Sequence, residues 1–256
     1  MKFLIIMMPF IGTMLGSAMV FFIKDKINPL LNKILLGFAS GVMIAASVWS
    51  LLIPSLEMSE YMGKLAFMPV VIGLILGVLL LLILDYLIPH LHIGTNQKEG
   101  LKVGIKRSTM IILAIALHNF PEGAATGVMM GSAINYEEII SLSSAFSLSL
   151  GIAIQNFPEG AIVALPLKNE GMSRFKAFIM GTLSGLIEPI ATIMMIFLTS
   201  YIASYLPYLL SFAAGAMIYV VIEELIPEAS IGNHSNLATI GFFIGFILMI
   251  ILDVAL

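Results

Sequence analysis

The sequence predicts an all-α integral membrane protein with eight transmembrane helices in a single domain over residues 1–256. Three observations predict it. Of the 256 residues, 60% are hydrophobic and 11% charged, against roughly 25% charged in a soluble domain. The apolar residues fall into eight runs, each near the ~20 residues a helix needs to cross the hydrocarbon core. The basic residues gather in alternate connections, as they do in membrane proteins of fixed orientation.

The runs cover 3–23, 33–55, 67–89, 109–131, 139–166, 176–200, 206–226 and 237–255. The first follows Lys2 and resembles a signal peptide, but its apolar stretch of about 21 residues exceeds an h-region and reads as a retained helix. "KDKINP" at 24–29 separates the first two runs, and "IGTNQKEGLKVGIKR" at 93–107 separates the third from the fourth. Both carry the charges and turn residues of connections. Lys24, Lys26, Lys33, Lys98, Lys102, Lys106, Arg107, Lys168, Arg174 and Lys176 all fall on one side. The positive-inside rule makes that side cytoplasmic and both termini extracytoplasmic. The expected location is the cell (plasma) membrane.

Composition also excludes functions. The chain has no cysteine, so disulfides, thiolate metal sites and thiol catalysis are absent. No basic cluster resembles a nucleic-acid footprint. No G-x-x-x-x-G-K-[ST] motif indicates ATP hydrolysis, and no H-E-x-x-H motif indicates a zinc protease.

Three acids lie deep inside the runs: Glu122, Glu159 and Glu188. At 1.5 Å per residue they sit about 22, 14 and 18 Å from the nearest cytoplasmic basic residue. That places all three near the middle of the membrane, where a carboxylate is costly and marks a functional site.

Two of these acids belong to a repeated hexapeptide, "HNFPEG" at 118–123 and "QNFPEG" at 155–160. On a helix, Glu122 shares a face with His118 at i−4 and with Asn119 at i−3. One carboxylate oxygen can then join each neighbour on a separate cation. Gln155, Asn156 and Glu159 repeat the pattern. Two facing copies would form an oxygen- and nitrogen-rich site suited to Zn²⁺ or Fe²⁺. Pro121 and Pro158 deprive the carbonyls of Leu117 and Ile154 of their donors, and the expected result is a kink where backbone lines a polar cavity.

The paired hexapeptides resemble the signature of the ZIP (Zrt/Irt-like protein) family of divalent-metal transporters, most closely its prokaryotic branch. "GFASGVMIAAS" at 37–47, "SGLIEP" at 184–189 and "AGAMIYVVIEELIPE" at 214–228 extend the likeness across nearly the whole chain. The resemblance implies eight helices with both ends outside and a binuclear metal site between helices 4 and 5. His118, Glu122, Gln155 and Glu159 would form one position, with the Met43 thioether beside it. Asn119, Glu122, Asn156, Glu159 and Glu188 would form the other. Two positions depart from common family members: Gln155 stands where histidine is frequent, and Asn156 where some relatives have aspartate. The resemblance further implies uptake of Zn²⁺, with Fe²⁺, Mn²⁺, Co²⁺ and Cd²⁺ as further substrates, and a homodimer in the lipid bilayer.

Other residues point less sharply. Glu223, Glu224 and Glu228 close the seventh run, either as solvated end charges or as a relay for the departing ion. His90, His92 and His234 read as interfacial histidines, and Asp85 and Asp253 as headgroup-facing acids. Glu137 and Glu138 would attract cations at the outer mouth. The rival function is a membrane-embedded di-iron carboxylate enzyme. Such bundles pair Glu-x-x-His motifs, whereas this chain has the reverse order and one mid-membrane histidine.

Overall fold

The computed structural model describes residues 1–23, 28–91, 98–101, 107–135, 140–169, 171–232 and 235–256. Its helices are α1 (Lys2–Ser17), α2 (Pro29–Ala46), α3 (Ile53–Met58), α4 (Phe67–Leu87), α5 (Arg107–Asn135), α6 (Leu142–Asn169), α7 (Arg174–Ser184), α8 (Ile187–Tyr201), α9 (Leu206–Val220), α10 (Ile226–Ser230) and α11 (Leu237–Ala255). A two-residue antiparallel ladder joins β1 (His90–Leu91) to β2 (Lys98–Glu99). Lipid offers no hydrogen bonds, so long apolar runs must satisfy their backbone internally, as helices do.

Among the described residues, seven helical segments are long and apolar enough to cross a membrane: Lys2–Phe21, Pro29–Met58, Phe67–Leu87, Leu142–Asn169, Arg174–Tyr201, Leu206–Ser230 and Leu237–Ala255. The expected fourth span forms α5, which has 29 residues. It carries His118, Asn119 and Glu122 along its length and is not among the seven.

Local chemistry explains three departures from the expected runs. The sixth span is broken: α7 ends at Ser184 and α8 begins at Ile187. Gly181 and Gly185 weaken the helix there, and Pro189 has no N–H to give the Gly185 carbonyl. The Glu188 N–H takes that place at 3.1 Å. The second span continues past its expected end to Met58 through a π turn at Ser47–Leu52. A second π turn, Val221–Leu225, joins α9 to α10. Each π turn runs into an Ile-Pro step, Ile53-Pro54 or Ile226-Pro227, where the missing N–H favours a one-residue slip. By contrast, α5 and α6 run through Pro121 and Pro158 without ending.

Helices pack in pairs: α1 along α6, α2 along α11, α4 along α9 and α5 along α8. Small residues make these approaches possible. A Cβ added at Gly16 would lie 1.9 Å from the Phe157 carbonyl oxygen, and one at Gly41 the same distance from that of Phe242. The apolar core runs through the centre, with Val42, Met43, Val128, Met129, Leu148, Ile152 and Met217 fully or almost fully buried. Isoleucine and phenylalanine on α4 and α11 remain exposed on the outer surface.

Candidate metal site

The two hexapeptides meet through side chains. Gln155 Nε2 donates to Glu122 Oε1 at 2.7 Å and to the neighbouring Asn156 Oδ1 at 2.5 Å. Both asparagines turn their nitrogens to Glu188: Asn119 Nδ2 donates to Oε1 at 3.0 Å, and Asn156 Nδ2 to Oε2 at 2.9 Å. A third donor comes from α1, where the Thr13 hydroxyl donates to Glu188 Oε1 at 3.0 Å. Four helices, α1, α5, α6 and α8, therefore converge on one buried carboxylate.

The helix break explains why Glu188 sits there. Glu188 lies in the first turn of α8, where unpaired N–H groups and the helix dipole favour a carboxylate. Asn119 Nδ2 also donates to the carbonyl of Ser184 at 3.2 Å, satisfying a backbone acceptor at the end of α7. Irregular backbone at membrane depth survives where polar groups surround it.

His118 and Glu159 face another direction. His118 Nε2 lies 2.7 Å from Glu224 Oε2. His118, Glu159 and Glu228 line a cavity of about 30 Å³ together with Leu36, Ile162, Val163 and Leu225. That volume suits about one water-sized occupant. Solvated end charges fit Glu223, which is exposed, but Glu224 is buried and Glu228 half-buried. The π turn that carries Glu224 directs it to His118 rather than to solvent.

Several oxygens in the site accept nothing. Among the described residues, Asn119 Oδ1, Glu122 Oε2 and Gln155 Oε1 are buried without a hydrogen-bond partner, as is the Thr126 hydroxyl one turn beyond Glu122. Buried acceptors are rarely left so. Carboxylate and amide oxygens of this kind are ligands for divalent ions.

The structure thus joins Asn119, Glu122, Gln155, Asn156 and Glu188 in one network and puts His118 and Glu159 on one cavity. Met43 is fully buried in the core, and its carbonyl accepts from Ser47. Among the described residues, no group of three or more histidine, aspartate or glutamate side chains is close enough to hold a metal ion. A metal ion held here would have to draw on amide oxygens as well as carboxylates. Asp253 and Asp85 have partners inside the bundle: Asp253 accepts from Ser50 at 2.7 Å and Asp85 from Tyr219 at 3.3 Å. His92, His234, Glu137 and Glu138 lie outside the described residues, and so does the His90 side chain. Sequence reasoning missed Thr13, whose one signal was its place in the small-residue stripe "GTMLGS".

Known proteins resemble this chain along most of its length. A family model described as ZIP Zinc transporter matches residues 94–253. Zinc transporter ZIPB of Bordetella bronchiseptica is 38% identical over 250 residues, covering 96% of this chain and 78% of that protein. Zinc transporter ZIP11 of Homo sapiens is 36% identical over 322 residues, covering 95% and 94%. Zinc transporter ZupT of Chlorobaculum parvum is 34% identical over 253 residues, covering 93% and 91%. The chain belongs to the ZIP family of zinc transporters.

Proposed function

We propose that this protein carries Zn²⁺ across the plasma membrane toward the cytoplasm, through a binuclear site shared by the two hexapeptides. The observation that carries the reading is the set of unpartnered buried oxygens on Asn119, Glu122 and Gln155. In this reading His118, Glu122, Gln155 and Glu159 hold one ion, with Met43 beside them. Asn119, Glu122, Asn156, Glu159 and Glu188 hold the other. Glu122 and Glu159 serve both. Fe²⁺, Mn²⁺, Co²⁺ and Cd²⁺ are further substrates, since the same oxygen and imidazole donors accept them.

The reading takes α5 as an eighth span, with both termini outside and the basic connections inside. Glu224 and Glu228 then lie toward the cytoplasm. His118 and Glu159 hand the ion through the small cavity to these acids. Weak, successive sites suit a transporter because the ion must leave. Alternating access comes from movement of one group of helices against another, and the protein works as a homodimer. As a member of a transporter family the protein is not an enzyme, and the di-iron reading is set aside.

The test is Zn²⁺ flux into liposomes containing the purified protein, without ATP, in the presence of each competing metal. Saturable Zn²⁺ entry that is lost in Glu122→Ala supports the reading. Wild-type liposomes no more permeable to Zn²⁺ than empty ones would overturn it.

A further inference from the structure

We propose that Thr13, on α1, is a positioning residue of the metal site: its hydroxyl holds the Glu188 carboxylate in place while the other donors to that carboxylate turn toward the ion. The proposal rests on the transport reading above.

The first support is the donor set. Three side chains donate to Glu188: Asn119, Asn156 and Thr13. An amide nitrogen has no lone pair to offer a cation, so an asparagine that ligates must present Oδ1. Rotation of Asn119 and Asn156 to do so removes two of the three donors. Thr13 is the remaining one, and it is not itself a candidate ligand. Its hydroxyl lies 3.0 Å from Glu188 Oε1 and 3.5 Å from its other acceptor, the Pro9 carbonyl. The shorter contact is the one to the carboxylate.

The second support is a local repeat in the packing. The glycine of the first hexapeptide, Gly123, stands against Glu188, and a Cβ there would lie 2.4 Å from the Glu188 carbonyl oxygen. One turn further along α8, Thr192 donates to the Gly123 carbonyl at 3.0 Å. The glycine of the second hexapeptide, Gly160, stands against Thr13, with a Cβ there 2.2 Å from the Thr13 carbonyl oxygen. One turn further along α1, Ser17 donates to the Gly160 carbonyl at 3.3 Å. Thr13 therefore occupies, against α6, the place that Glu188 occupies against α5. Gly185, at the break before α8, leaves the space: a Cβ there would lie 2.8 Å from that of Thr13.

The experiment compares Thr13→Val, which keeps the shape and removes the hydroxyl, with Thr13→Ser, which keeps the hydroxyl. Ser17→Ala removes the counterpart hydroxyl, which touches backbone and not Glu188. Zn²⁺ dose–response curves in liposomes are read for half-saturation and maximal flux. Thr13→Val is expected to raise half-saturation roughly three- to tenfold, the worth of one hydrogen bond. Thr13→Ser restores it, and Ser17→Ala leaves it unchanged. Wild-type half-saturation in Thr13→Val, or equal shifts in Thr13→Val and Ser17→Ala, overturns the role of Thr13 alone. Absence of Zn²⁺ flux in the wild-type protein overturns the transport reading and this proposal with it.

Discussion

In the first hexapeptide His118 reaches out to Glu224, whereas in the second Gln155 reaches inward to Glu122, each at 2.7 Å. The glutamates differ in the same sense. Glu122 is fully buried with one oxygen unpartnered. Glu159 is half-buried and faces the cavity it shares with His118 and Glu228. The asparagines behave alike, both donating to Glu188. A repeated motif on neighbouring helices need not make two equivalent half-sites. In the proposed reading both glutamates bind the ions from unequal surroundings: Glu122 from the buried network where they are held, and Glu159 from the edge of the cavity through which they leave.

The largest expected effect comes from removing the held position. Glu122→Ala should lower Zn²⁺ flux by at least about a hundredfold, because it removes a proposed ligand and one of the two acceptors of Gln155; Glu159→Ala should lower it by about tenfold. Equal losses, measured in liposomes at matched protein content, would erase the asymmetry. Glu188→Ala comes next. It removes the carboxylate on which Asn119, Asn156 and Thr13 converge, so flux should fall by about ten- to a hundredfold, and a normal rate would mean that the shared carboxylate plays no part in the cycle.

Gln155→His makes the first residue of the two hexapeptides alike. Imidazole binds Zn²⁺ better than an amide oxygen does. Half-saturation for Zn²⁺ should fall by about tenfold, and that for Mn²⁺ by less, following the Irving–Williams order. Maximal flux should drop if release limits the cycle. Unchanged half-saturation for both metals would show that Gln155 does not face the ion. The smallest effect is expected from Gly123→Ala. Its methyl would meet the Glu188 carbonyl, and overpacking should cost about 1–3 kcal/mol, read as a lower unfolding temperature in detergent. An unaltered transition would mean that α5 and α8 are free to separate there.

The hexapeptides were legible because a carboxylate inside an apolar run has few reasons to be there. Their partners were harder to read. The break before Glu188 had its signals in Gly181, Gly185 and Pro189, but a hydropathy run measures composition rather than the fate of single carbonyls, so span 6 reads as one helix. Glu224 reads as an end charge because a π turn, which shifts the facing of every later residue, has no sequence period of its own. Thr13 is one hydroxyl in an apolar helix, and its role exists only through contacts with residues far along the chain.

Anomalous diffraction from crystals of the protein soaked in Zn²⁺ tests the binuclear site most directly. Zinc is expected between α5 and α6, within the ~2.0–2.2 Å of a Zn–O bond from Glu122 Oε2, with the Gln155 and Asn119 oxygens turned toward the metal. Zinc bound only at Glu224 and Glu228, with Glu122 still hydrogen-bonded as in the free protein, would contradict it.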